Sequence, residues 1–129
     1  MRIQKAGGTV REGRVLGILE VSRSIGDGQY KRCGVISTPE LKRCRLTSAD
    51  RFLIIACDGL WKVFKPDEAV EFVINILDDE CLRPPETWKR TLSEFLYQTA
   101  CNKIASEAVR KGSADNVTVI IVAISQPTA

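Results

Sequence analysis

The 129-residue sequence contains no histidine. The chain by itself therefore supplies no imidazole base, acid or metal ligand, which excludes Ser-His-Asp and Cys-His catalysis built from this chain alone. No apolar run approaches the ~20 residues a membrane helix needs. Met1-Arg2-Ile3-Gln4-Lys5 leads into glycines rather than into the apolar core of a signal peptide. The five cysteines, at 33, 44, 57, 81 and 101, never stand as Cys-x-x-Cys, so a structural zinc site is not expected. Their odd number and their places within apolar runs suit a reducing interior, and a cytoplasmic or nuclear protein is expected. Internal repeats, low-complexity stretches, a basic helix and a stripe of alternating basic and aromatic residues are also missing. No nucleic-acid partner and no membrane association follow from the sequence.

A chain that is 44% hydrophobic and 27% charged reads as one globular domain. The net charge of +3 is local: Arg2, Lys5, Arg11 and Arg14 stand against Glu12 near the start, and the remainder balances. This cluster reads as a solvated loop or as an attractor for an anionic partner.

The pattern predicts strands at Val15–Val21, Val35–Ser37, Leu41–Leu46 and Arg51–Cys57, the third exposed or at an edge and the last buried on both faces. Pro66, followed by Asp67 and Glu68, starts a helix whose apolar face is Val70, Val73, Ile74 and Leu77. A longer helix runs from Thr87 or Thr91 to Lys111, lined by Leu92, Phe95, Leu96, Ala100, Ile104 and Ala108. Gly112 suits the left-handed residue past its end. Val117 to Ile124 reads as a central strand covered on both faces. Strands, then two helices, then a strand give an α+β class with helices over a mostly antiparallel sheet, not alternating β-α units.

Two acidic turns flank the apolar strands. Asp58-Gly59 leaves one strand, and Asp115-Asn116 enters the other. If the strands are antiparallel neighbours, both carboxylates reach one sheet edge. Close, unpaired carboxylates repel, so such a pair protonates one member or takes up a cation. Oxygen-only donors suit a hard ion such as Mg²⁺ or Mn²⁺. Each turn alone also reads as an ordinary Asp-Gly or Asp-Asn turn. Lys62, four residues after Asp58, reaches that carboxylate if the turn is helical, or else is solvated. In Ser22-Arg23-Ser24-Ile25-Gly26-Asp27, the favoured reading has Arg23 and Asp27 bonding backbone groups to fix a turn, the other a phosphate-handling loop. Trp61 and Phe64 read as core residues.

Taken together, the segments resemble the metal-dependent protein serine/threonine phosphatases of type 2C, the PPM family. Leu19 to Asp27 is similar to the family element L-x-V-S-R-x-x-G-D. Ile55 to Trp61 is similar to A-C/S-D-G-L/I-W/F, and Gly112 to Thr118 to G-S-x-D-N-x-T/S. Arg2 to Gly8, Ser24 to Val35 and Lys62-Val63-Phe64 resemble one branch of that family. The resemblance implies a PPM-type β-sandwich of antiparallel sheets flanked by helices, with two Mg²⁺ or Mn²⁺ ions at one end. It implies that Asp58 and Asp115 are metal ligands through which catalysis runs, with Gly59 beside the first. Asn116 and Asp27 become supporting residues, Asp27 without a clear ligand role. Many family members carry an Asp where Lys62 stands, and that Asp is implicated there in a third metal site, which an ammonium would not support. The implied reaction is hydrolysis of a phosphoserine or phosphothreonine ester of a phosphoprotein by a metal-activated water. A kinase partner would rest on the resemblance alone.

The family's upstream half, with its Asp-Gly-His-Gly-Gly element, a phosphate-gripping arginine and a histidine proposed as general acid, has no counterpart here. Residues 1–125 are therefore expected to form the C-terminal part of a PPM-type domain, with 126–129 a tail. Such a part should expose apolar faces, bind metal weakly and show no turnover alone. The alternative is a non-catalytic truncated product that acts as a protein-binding module.

Overall fold

A computed structural model describes residues 2–124, so the tail expected at 126–129 lies outside the described residues. The chain divides into two compact units, residues 1–45 and 46–129.

The first unit is mostly turns. It holds helix α1 (Arg2–Lys5), the two-residue strands β1 (Val10–Arg11) and β2 (Arg14–Val15), and a 3-10 segment at Gly28–Cys33. Ile3, Val15, Tyr30 and Val35 form its small core. Cationic side chains bind its backbone carbonyls. Arg2 donates to Gly34 at 2.8 Å and to Ser22, Arg23 to Thr38 at 2.8 Å, and Lys31 to Ser24 at 2.6 Å. Arg23 thus bonds a backbone carbonyl as expected, although that of Thr38 and not one within its own turn, and Asp27 adopts φ 51° with no side-chain capping bond.

Three expected strands do not form here. Val15–Val21 turns back at Leu16, whose φ is 53°, and Val15 bridges Leu19. Val35–Ser37 contributes one bridge, Arg23 to Ile36. Leu41–Leu46 has no regular structure and is exposed throughout. Short apolar alternation does not make a strand without a partner edge to supply its hydrogen bonds.

The second unit is regular. Strands β3 (Phe52–Ala56) and β4 (Val119–Ala123) pair antiparallel, with Phe52 opposite Ala123 and Ala56 opposite Val119. Helices α2 (Asp58–Trp61), α3 (Pro66–Leu77) and α4 (Leu92–Arg110) complete it. Pro66 takes the first helical position of α3, and Glu68 reaches back to the Lys65 N–H at 3.2 Å. Thr91 caps α4 by a reciprocal pair of bonds with Glu94. Gly112 ends it at φ 91°. Leu60, Phe64, Ala69, Val73, Ile76, Ala100, Ile104 and Ala108 form the core, against which Phe52, Ile54, Val119 and Ile121 pack.

That packing corrects three expectations. β3 and β4 are covered on one face only: Leu53, Ile55, Ile120 and Val122 on the other are 41–55% exposed. The buried side of α3 is Ala69, Val73 and Ile76, and Val70 is exposed. α3 packs against α4, and Ala69 shares one buried cluster with Ala100 and Ala108 of α4. Leu92 is likewise exposed in the first turn of α4.

Candidate metal centre

The antiparallel register brings the exit of β3 and the entrance of β4 to the same end of the ribbon. Asp58 begins helix α2 two residues beyond Ala56, so its carboxylate sits in the first turn. Asp115 lies in the turn between α4 and β4. One carboxylate oxygen of each lies within 4.8 Å of the other, and both side chains are about half exposed.

Several bonds stitch the two turns together. The Ser113 hydroxyl donates to the Gly59 carbonyl at 2.7 Å. The Cys57 N–H donates to the Thr118 carbonyl at 3.2 Å. The Cys57 thiol donates to the Asn116 carbonyl at 3.0 Å and accepts from the Thr118 N–H at 3.2 Å. The Thr118 N–H is the chief cause holding the Cys57 thiol below its ordinary range. Gly59 is required by space: a Cβ there would lie 2.1 Å from the Asn116 carbonyl oxygen. No side chain fits without parting the turns, and with them the two acids. Asn116 thus acts through its backbone, and its N–H also donates to Asp115 Oδ1 at 2.8 Å.

Lys62 answers the repulsion between the acids. The helical turn of α2 carries its Nζ to 3.3 Å from Asp58 Oδ2 and 2.5 Å from Asp115 Oδ2. The first contact follows from i, i+4 spacing. The second needs the β4 turn and is invisible in the local sequence. The Lys62 ammonium, then the Asn116 N–H, holds the Asp115 carboxyl below its ordinary value.

The remaining residues singled out in the sequence have other places. Asp27 belongs to the first unit, at the start of the 3-10 segment. Phe64 is core, but Trp61 is 37% exposed and donates its indole N–H to the Ala56 carbonyl at 3.1 Å. Sequence reasoning assigned no role to Cys57, Ser113 or Thr118, because backbone stitching leaves no spacing pattern.

Known proteins resemble this chain along most of its length. The family model described as protein phosphatase 2C matches residues 1–117. Human integrin-linked kinase-associated serine/threonine phosphatase 2C is 60% identical over 124 residues, covering 96% of this chain and 31% of that protein. Probable protein phosphatase 2C 67 of Oryza sativa subsp. japonica is 44% identical over 123 residues, covering 94% and 30%. A solved C. elegans sex-determining protein superposes with a TM-score of 0.70 at 28% identity, over 95% of this chain and 28% of that one. The chain thus spans about a third of the length of the curated relatives it matches.

Proposed function

Because this chain belongs to the protein phosphatase 2C family, we propose that it is the C-terminal, metal-holding part of a protein serine/threonine phosphatase domain. The observation that carries the reading is the meeting of Asp58 and Asp115 at one end of the β3–β4 ribbon, with oxygens within 4.8 Å. The donor set fits Mg²⁺ or Mn²⁺: two hard, half-exposed carboxylates open to water. Bound there, such an ion would supply Lewis acidity and charge neutralisation for hydrolysis of a phosphoserine or phosphothreonine ester. Asp58 and Asp115 would hold it. Gly59 keeps the turns close, and the Asn116 N–H orients Asp115. Asp27 enters as a supporting residue through the family element alone.

Two carboxylates leave most of a near-octahedral shell to water, so the chain alone binds metal weakly and has no turnover. The five free cysteines suit the cytoplasm or nucleus. The substrate class is phosphoprotein. The human relative's name associates that protein with integrin-linked kinase, and a kinase partner for this chain rests on that likeness. A second reading, a non-catalytic module that docks on other proteins, is favoured by one observation, the exposed row Leu53, Ile55, Ile120 and Val122.

The test is a chimera in which residues 1–129 replace the matching region of the human relative. The expected result is Mn²⁺-dependent turnover of a phosphothreonine peptide by the chimera and none by the chain alone. Asp115→Asn in the chimera should cost more than the about 10–100-fold that loss of even a supporting residue costs at a metal site. A folded chimera without turnover, or one indifferent to Asp115→Asn, contradicts the enzymatic reading and leaves the docking module.

A further inference from the structure

We propose that Lys62 is a built-in competitor for the divalent ion: its ammonium occupies the gap between Asp58 and Asp115 and must leave when the ion enters. The inference rests on the metal-holding reading above and adds a residue that sets the ion's apparent affinity.

The geometry supports it directly. Nζ lies 3.3 Å from an oxygen of one acid and 2.5 Å from an oxygen of the other. A divalent ion shared by carboxylates whose oxygens lie within 4.8 Å needs that same space. The lysine backbone is fixed, because its N–H donates to the Asp58 carbonyl at 2.8 Å. Only the flexible stem moves, and its side chain is 32% exposed, so a route to water is open. Lys62 therefore neutralises the pair in the absence of metal and lowers the charge that a metal would meet.

The size of the effect follows from Coulomb's law. Even in a bulk-water dielectric, a single positive charge about 5 Å from a divalent ion weakens its binding by roughly tenfold. Displacing the ammonium from both acids adds to that, whereas salt screening takes from it, so roughly tenfold is the expected size.

The experiment measures Mn²⁺ binding to the 129-residue chain by the electron paramagnetic resonance signal of unbound Mn²⁺. Wild type, Lys62→Met and Lys62→Arg are compared, with circular dichroism as the folding control. Methionine keeps the apolar stem and removes the charge. The expected result is ~10-fold tighter binding by Lys62→Met and no tightening by Lys62→Arg. Equal Mn²⁺ affinity in wild type and folded Lys62→Met overturns the competitor role and leaves the metal reading intact. Absence of Mn²⁺ binding in both overturns the metal reading, and this inference with it. A second measurement needs no variant. Acetylation of Lys62 in the wild-type chain, read by mass spectrometry, should rise as Mn²⁺ is added while that of Lys103 stays constant. An unchanged Lys62 rate at saturating Mn²⁺ overturns the proposal.

Discussion

The two units hold themselves together by different means. In the first, long cationic side chains grip backbone carbonyls around a four-residue core. In the second, two helices bury one face of a two-stranded ribbon around an eight-residue core. The contrast separates positional order from packing strength. Turns can be fixed by a few charge-assisted hydrogen bonds, but the alignment of Asp58 with Asp115 depends on a packed ribbon and on a glycine that nothing can replace.

The largest expected effect follows from that contrast. Ile104 is fully buried in the second core, so Ile104→Ala should cost about 2–5 kcal/mol. Arg2→Met removes charge-assisted bonds to carbonyls that are only partly buried and should cost about 1–2 kcal/mol. Hydrogen exchange reads each unit separately, at the Phe64 amide for the second and the Val35 amide for the first. A larger loss from Arg2→Met than from Ile104→Ala would break the comparison.

Acid provides a smaller effect that sharpens it. Six carboxylates of the second unit are held below their ordinary range. Asp115 is held chiefly by Lys62, Asp78 by Arg51 and Glu107 by Arg110. Backbone N–H groups do the same for Asp50, Glu68 and Glu94. A carboxyl lowered on folding stabilises the folded state fully above its unfolded value, about 4. That contribution is lost as pH falls through the lower folded value. Urea midpoints of the second unit, followed by Trp61 and Trp88 fluorescence, should therefore fall between pH 5 and 3. Asp115→Asn should flatten part of that slope. An unaltered slope would show that the Lys62–Asp115 pair does not hold in solution.

Legibility in the sequence divides along the same line. Pro66 and Gly112 marked helix ends because a fixed φ and φ > 0 are local requirements, and both stand where they were read; of the two starts read for α4, Thr87 and Thr91, the capping residue is Thr91. The apolar runs gave β3 and β4, and their antiparallel pairing placed the two acids together. Coverage of the ribbon was not legible, because an apolar strand reads the same whether one face or both are packed. Val15–Val21 and Leu41–Leu46 misled for a related reason: an apolar run or an alternation marks a strand only where a neighbouring edge is available. At the site, Lys62's reach to Asp58 was local and readable. Its contact with Asp115, and the role of Ser113 and Cys57 in joining the turns, arise from chain segments more than fifty residues apart.

The most direct test of the shared-acid claim is anomalous diffraction from crystals of the chain soaked in Mn²⁺. The account predicts a manganese peak about 2.1 Å from an oxygen of Asp58 and an oxygen of Asp115, in the space that the Lys62 ammonium holds without metal. Manganese bound elsewhere, or no peak at the acid pair at high Mn²⁺, would contradict it.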